Sequence, residues 1–193
     1  MIDSIVNWLG GEAKTVAFAI LSGVFGFLAK GGYDLWLARR KDKLERVNLQ
    51  LKLLYGPLYA LNQAGFLAWQ AFRTRPDPVF FGTDPPPTEE QLQEWRRWMI
   101  TVFEPIHDEM LSLISKNVDL LIEDDLPQPL QLFCAHVSAY KVVFERWRNN
   151  DFAEHTSVID YPTQEMAKYL EKSFRQLKFE QARLLGTPRR APR

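Results

Sequence analysis

The sequence predicts an all-α chain, with a single transmembrane helix near the N-terminus followed by an antiparallel bundle of about four helices. Three observations predict it. The run Thr15–Ala29, TVAFAILSGVFGFLA, carries no charge, and the cations Arg39, Arg40, Lys41, Lys43 and Arg46 follow it. From Leu44 onward, apolar residues recur at intervals of three and four in four separate stretches, the period of one helical face. No stretch alternates apolar and polar residues convincingly, as a half-buried strand would.

In chain order, Ile2, Ile5, Val6 and Leu9 form one apolar face, with Asp3, Ser4 and Asn7 opposite and Gly10-Gly11 as the expected end. Residues 1–14 are thus a short amphipathic segment, suited to lying on a membrane surface. The uncharged run follows. Its fifteen residues reach about 22 Å against a hydrocarbon core of about 30 Å. Lys14 and Lys30 can snorkel, and Tyr33 and Trp36 are interfacial types, which extends the anchor to residues 15–38. The cations beyond it place the C-terminal part in the cytoplasm and the N-terminus outside, as in a single-pass protein of a bacterial inner membrane. Two other readings stay open: a helix buried in protein and broken at Gly31-Gly32, or a signal peptide cut near Gly26 and Ala29. Against the second stand Asp3 and Glu12 in the leading segment and the single cysteine, Cys134, which allows no intrachain disulfide framework.

Within the run, Ala19, Ser22, Gly23 and Gly26 repeat a small-xxx-small spacing that lets two helices approach in lipid and supports a homo-oligomer. The basic residues Arg39, Arg40, Lys41, Lys43 and Arg46 are placed to meet anionic headgroups. Residues 30–52 hold seven cations against three acids, whereas residues 104–125 hold seven acids against one cation. Formal net charge is zero, so composition does not point to nucleic acid.

The cytosolic bundle is expected over residues 39–186. Its first helix carries the seam Leu44, Val47, Leu51, Leu54, Leu58 and Leu61. That seam either packs inside the chain or pairs with a neighbouring protomer as a coiled coil. The second opens on a capping box at Thr88–Gln91 and runs Leu92, Trp95, Met99, Val102, Ile106, Met110, Leu113. The third carries Leu130, Phe133, Val137, Tyr140, Phe144 and Trp147, and the fourth, from Pro162, Met166, Leu170, Phe174 and Leu177, with Gly186 as its stop. Pro57 and Pro105 fall inside two stripes and should kink or restart those helices. The proline-rich link 74–87 reads as a connector whose Phe80 and Phe81 fold back on the bundle. Residues 187–193, basic and proline-rich, read as a disordered tail.

No catalytic, cofactor or metal motif emerges. Glu104-Pro-Ile-His107 has the Glu-x-x-His spacing of di-iron bundles but occurs once, where two copies are needed, so His107 is expected to be exposed or capping. Cys134 and His136, two apart on one helix, point away from each other and read as core or flank residues. Arg96-Arg97-Trp98 and Arg146-Trp147-Arg148 interleave guanidinium and indole, with the tryptophans Trp95 and Trp147 in core stripes and the arginines expected on a solvated flank. His155 sits in a linker. The expectation is a non-enzymatic, membrane-anchored interaction module, an adaptor or regulator that holds a protein partner at the membrane. The alternative is an oligomerising effector that perturbs the bilayer when its cytosolic domain is triggered.

Overall fold

The computed structural model describes residues 2–82 and 84–187, with the side chains of residue 25 and of residues from 27 on. It is helical, with no strand among the described residues. The chain divides into two compact units, Met1–Glu45 and Arg46–Arg193.

Helix α1, Ile2–Leu49, carries the first unit. It runs unbroken through Gly10-Gly11, where an end was expected, and through Gly31-Gly32. A helix-interior glycine costs about 1 kcal/mol relative to alanine, which weakens a helix without forbidding it. Among the described residues no helix is long and apolar enough to cross a membrane. The transmembrane anchor expected at 15–38 therefore draws no support from the described part of α1, where Lys30 and Asp34 interrupt the apolar surface. The rest of that expectation, including the packing set Ala19, Ser22, Gly23 and Gly26, lies outside the residues whose side chains are described.

The second unit is built from four rods, as expected. The first is α2, Gly56–Arg73, preceded by a π-helical turn at Gln50–Tyr55. The second joins α3, Glu89–Trp98, to α4, Glu104–Lys116, through a second π turn at Met99–Phe103. The third and fourth are α5, Gln128–Arg148, and α6, Thr163–Leu185. Helix α2 packs on α4 and α6, α4 on α5, and α5 on α6, which closes the ring.

Each π turn stands one residue ahead of a proline, at Gly56-Pro57 and Glu104-Pro105. Proline has no N–H, and its ring crowds the preceding turn. The wider turn absorbs both faults: the Gly56 N–H reaches the Leu51 carbonyl and the Glu104 N–H reaches that of Met99, each five residues back. Position 56 also requires glycine, since a Cβ there would lie 2.3 Å from the Leu51 oxygen.

The extra residue per turn rotates the buried face. Past Met99 the interior is taken by Phe103 and Ile114 beside the predicted Met110, and the predicted Val102 is left half-buried. In the first rod, Val47, Leu54 and Leu58 are buried as the seam predicts, Leu51 and Leu61 pack against them, and Gln50 and Tyr55 join the interior. The six predicted residues of α5 are all buried. The Thr88 capping box forms through both of its hydrogen bonds, and Gly186 ends α6 with φ 75°.

Two packed clusters result. One is largely aliphatic and includes Leu54, Leu58, Met110, Leu130, Met166 and Leu170; the other is aromatic and includes Phe72, Trp95, Phe103, Tyr140, Phe144 and Trp147. Each fully buried side chain of this size contributes about 1.5–3 kcal/mol. Between the clusters the packing leaves a cavity.

Candidate functional site

The residue sets singled out from sequence fall in different parts of the chain. Arg39, Arg40, Lys41 and Lys43 belong to the first unit, with Arg40 lying 5.3 Å over the Trp36 ring. Arg46 belongs to the second and donates to the Asp119 carbonyl at 3.4 Å. Leu44 is half-buried in the first unit, and the rest of its seam lies within the second. Residues Val47–Leu61 of that seam are thus covered by the chain's own helices.

A site not anticipated from sequence is the cavity, about 310 Å³ in volume. Helix α2 lines it with Asn62, Gly65, Phe66 and Trp69, which share one face at spacings of three, one and three. The second rod adds Trp95, Met99, Phe103 and His107, the last brought to the interior by the rotation at the π turn. Helix α5 adds His136 and Tyr140.

The remaining wall is the connector between α5 and α6, which has no regular structure but is fastened by side chains. The Trp95 indole and the Tyr140 hydroxyl both donate to the His155 carbonyl at 2.8 Å. The Trp147 indole donates to the Glu154 carbonyl at 2.8 Å, and His136 Nδ1 lies 2.5 Å from the Ile159 carbonyl. These donors satisfy backbone oxygens that a helix or sheet would otherwise have to pair. At its end the connector presents Tyr161, whose hydroxyl donates to Asn62 Oδ1 at 3.3 Å.

His107 is neither exposed nor a helix cap. Its ring stacks on Tyr161 at 5.1 Å and meets Phe133 edge-on at 5.8 Å. Burial, reinforced by neighbouring His136, lowers its pKa to about 4, so it is neutral at physiological pH. Burial lowers the His136 pKa as well, against the opposing effect of the Ile159 carbonyl. Since a carbonyl only accepts, His136 Nδ1 carries the proton and Nε2 is left as an acceptor. Tyr140 and Tyr161 have their hydroxyl pKa values raised by burial and stay protonated.

From the 74–87 link, Val79 is buried in the aromatic cluster and Phe81 packs edge-on to Trp95 at 5.4 Å, on the cavity wall. Phe80 lies under the Arg73 guanidinium at 4.2 Å. Both phenylalanines therefore fold back, as expected. Arg96 departs from the expected solvated flank: it is buried, pairs with Glu89 and covers the Phe152 ring at 4.3 Å. Arg97, Arg146 and Arg148 are exposed.

Glu104 is committed to Arg148 at 3.5 Å, and burial raises its pKa. No group of three or more potential metal ligands occurs among the described residues. Cys134 is half-buried against the aliphatic cluster, and burial raises its thiol pKa, the opposite of what a reactive thiolate requires. Comparison with protein-family models, curated proteins and solved structures finds no match.

Proposed function

We propose that the chain is a membrane-anchored helical interaction module, an adaptor or regulator whose α1 enters lipid and whose bundle meets a protein partner. One observation carries this reading. Phe25, Phe27 and Leu28 expose 64–77% of their surface on α1. Farther along the same helix stand Tyr33 and Trp36, their rings 5.9 Å apart, and then the basic residues. Large apolar side chains, then aromatics, then cations is the order that a helix leaving a bilayer requires. Covering the first three would contribute about 1.5–3 kcal/mol each.

Flotation of the full chain with vesicles containing anionic lipid tests the reading. The unmodified chain should float, and the variant carrying Phe25→Asp, Phe27→Asp and Leu28→Asp should stay at the bottom with its bundle folded. A full chain that does not float would end the reading. Dye release from the same vesicles would favour a bilayer-perturbing effector over a tether.

A further inference from the structure

We propose that the cavity of the second unit is a binding site for a small, uncharged, planar heteroaromatic molecule of one or two rings, such as a nucleobase. The inference stands on the bundle alone and is independent of how α1 meets a membrane. Size comes first. A cavity of about 150 Å³ lined by apolar side chains accepts benzene, so about 310 Å³ accommodates a fused bicycle. The walls suit a flat body, because Trp69 and Trp95 meet at 76°, and Phe81, Phe103 and Tyr140 add further ring faces and edges.

The polar groups suit a ring edge carrying both donors and acceptors. Tyr161 occupies the Asn62 carbonyl oxygen, which leaves the Asn62 amide NH₂ to donate. The Ile159 carbonyl takes the His136 Nδ1 proton, which leaves Nε2 to accept. His107, a neutral imidazole on the wall, offers one donor and one acceptor. A small molecule fixed by a few polar groups on an apolar wall is the usual composition of a ligand pocket.

Charge narrows the class. Among the described residues neither lysine nor arginine lines the cavity, so a phosphate or carboxylate would enter without a counter-charge from them. Among the described residues the one acid on its wall, Asp160, is exposed, and a buried cation would face the neutral imidazoles instead.

Saturation-transfer NMR and calorimetry on the full chain test this with three probes: adenine, guanine and tetramethylammonium. Adenine or guanine should bind saturably with a dissociation constant below about 1 mM. Gly65→Leu, which projects a side chain from the α2 wall, should abolish binding. His107→Phe keeps the ring on Tyr161 but removes both nitrogens, and should weaken binding at least about tenfold with the melting temperature retained. The His107→Phe result decides the matter if Gly65→Leu fails to fold. Absence of saturable purine binding, purine binding unchanged in His107→Phe, or binding of tetramethylammonium in preference to the purines would each overturn the proposal.

Discussion

The hydroxyl oxygens of Tyr55 and Tyr169 lie 3.0 Å apart, although 114 positions separate the two residues in the chain. Tyr169 donates to a Glu123 carboxylate oxygen at 3.0 Å, Tyr55 donates its one proton to Tyr169 and stands 3.4 Å from the same carboxylate oxygen, and the Ile122 N–H donates to Tyr55 at 3.0 Å. One phenol at the end of a π turn thus ties together the first rod, the loop before α5 and helix α6. Tyr55 is fully buried, so its hydroxyl depends on these partners. Burial raises its pKa most, the hydrogen bonds with Tyr169 and Ile122 oppose that rise, and the Glu123 charge adds to it.

Tyr55→Phe should destabilise the bundle by about 1–3 kcal/mol, because the Ile122 N–H and the Tyr169 hydroxyl both lose a partner. Tyr169→Phe should cost less, and the two substitutions should be non-additive. Urea denaturation of the single and double variants measures the coupling.

Gly56→Ala should be among the most damaging single substitutions, above about 2 kcal/mol, since the added methyl would meet the Leu51 carbonyl inside the π turn. Gly65→Ala is the control within the same helix. A Cβ at 65 sits 3.7 Å from the Ile106 side chain, an ordinary contact, so the substitution should be neutral or stabilise by up to about 1 kcal/mol. Thermal melts of both variants check the contrast.

His107 sets a window of acid sensitivity. Its pKa is lowered from 6.5 to about 4 in the fold, so the unfolded chain binds a proton there that the folded chain refuses. Stability is therefore fully present above pH 6.5 and falls as pH drops toward 4, by about 3 kcal/mol for this group. His136 adds in the same direction, being lowered too. Glu89 and Glu94, whose pKa values are lowered by hydrogen bonds from Arg96 and Arg75, act below this window. Unfolding free energy measured from pH 7 to 4.5 should slope less steeply in His107→Phe than in the unmodified chain.

The fastened connector gives another test. Trp147→Phe keeps most of the apolar burial but deprives the Glu154 carbonyl of its indole donor. The expected cost is about 1–2 kcal/mol, with faster amide exchange confined to residues 151–162.

Much of the bundle was legible from spacing alone. Leu130, Phe133, Val137, Tyr140, Phe144 and Trp147 are buried as a strict three-four repeat demands, and Thr88 and Gly186 mark helix ends by local chemistry that needs no tertiary context. The second rod shows where that reasoning stopped. A uniform period of 3.6 residues placed Val102 in the core, and the lone Glu-x-x-His spacing left His107 expected as exposed or capping. The π turn before Pro105 advances the register, so Phe103 and His107 face inward instead. The proline signalled an irregularity but not its form. The cavity was illegible for a further reason. Its polar members come from three helices and a connector, and Asn62, His107, His136 and Tyr161 share no sequence pattern. Nor does any apolar period reveal that a connector's carbonyls will be held by Trp95, Tyr140, Trp147 and His136.

The two π turns also set how the chain tolerates a change in length. Each contains one residue more than an α-helical turn of the same rod would hold, and one residue corresponds to about 100° of rotation about the helix axis. Removing a single residue from Met99–Phe103 would let that turn close as ordinary α-helix. Helix α3 would then swing by about a quarter turn relative to α4. Trp95 would leave the cavity wall, and the His155 carbonyl would lose its indole. A deletion that shortens the protein by half a percent would thus dismantle one side of the pocket while leaving every helix intact.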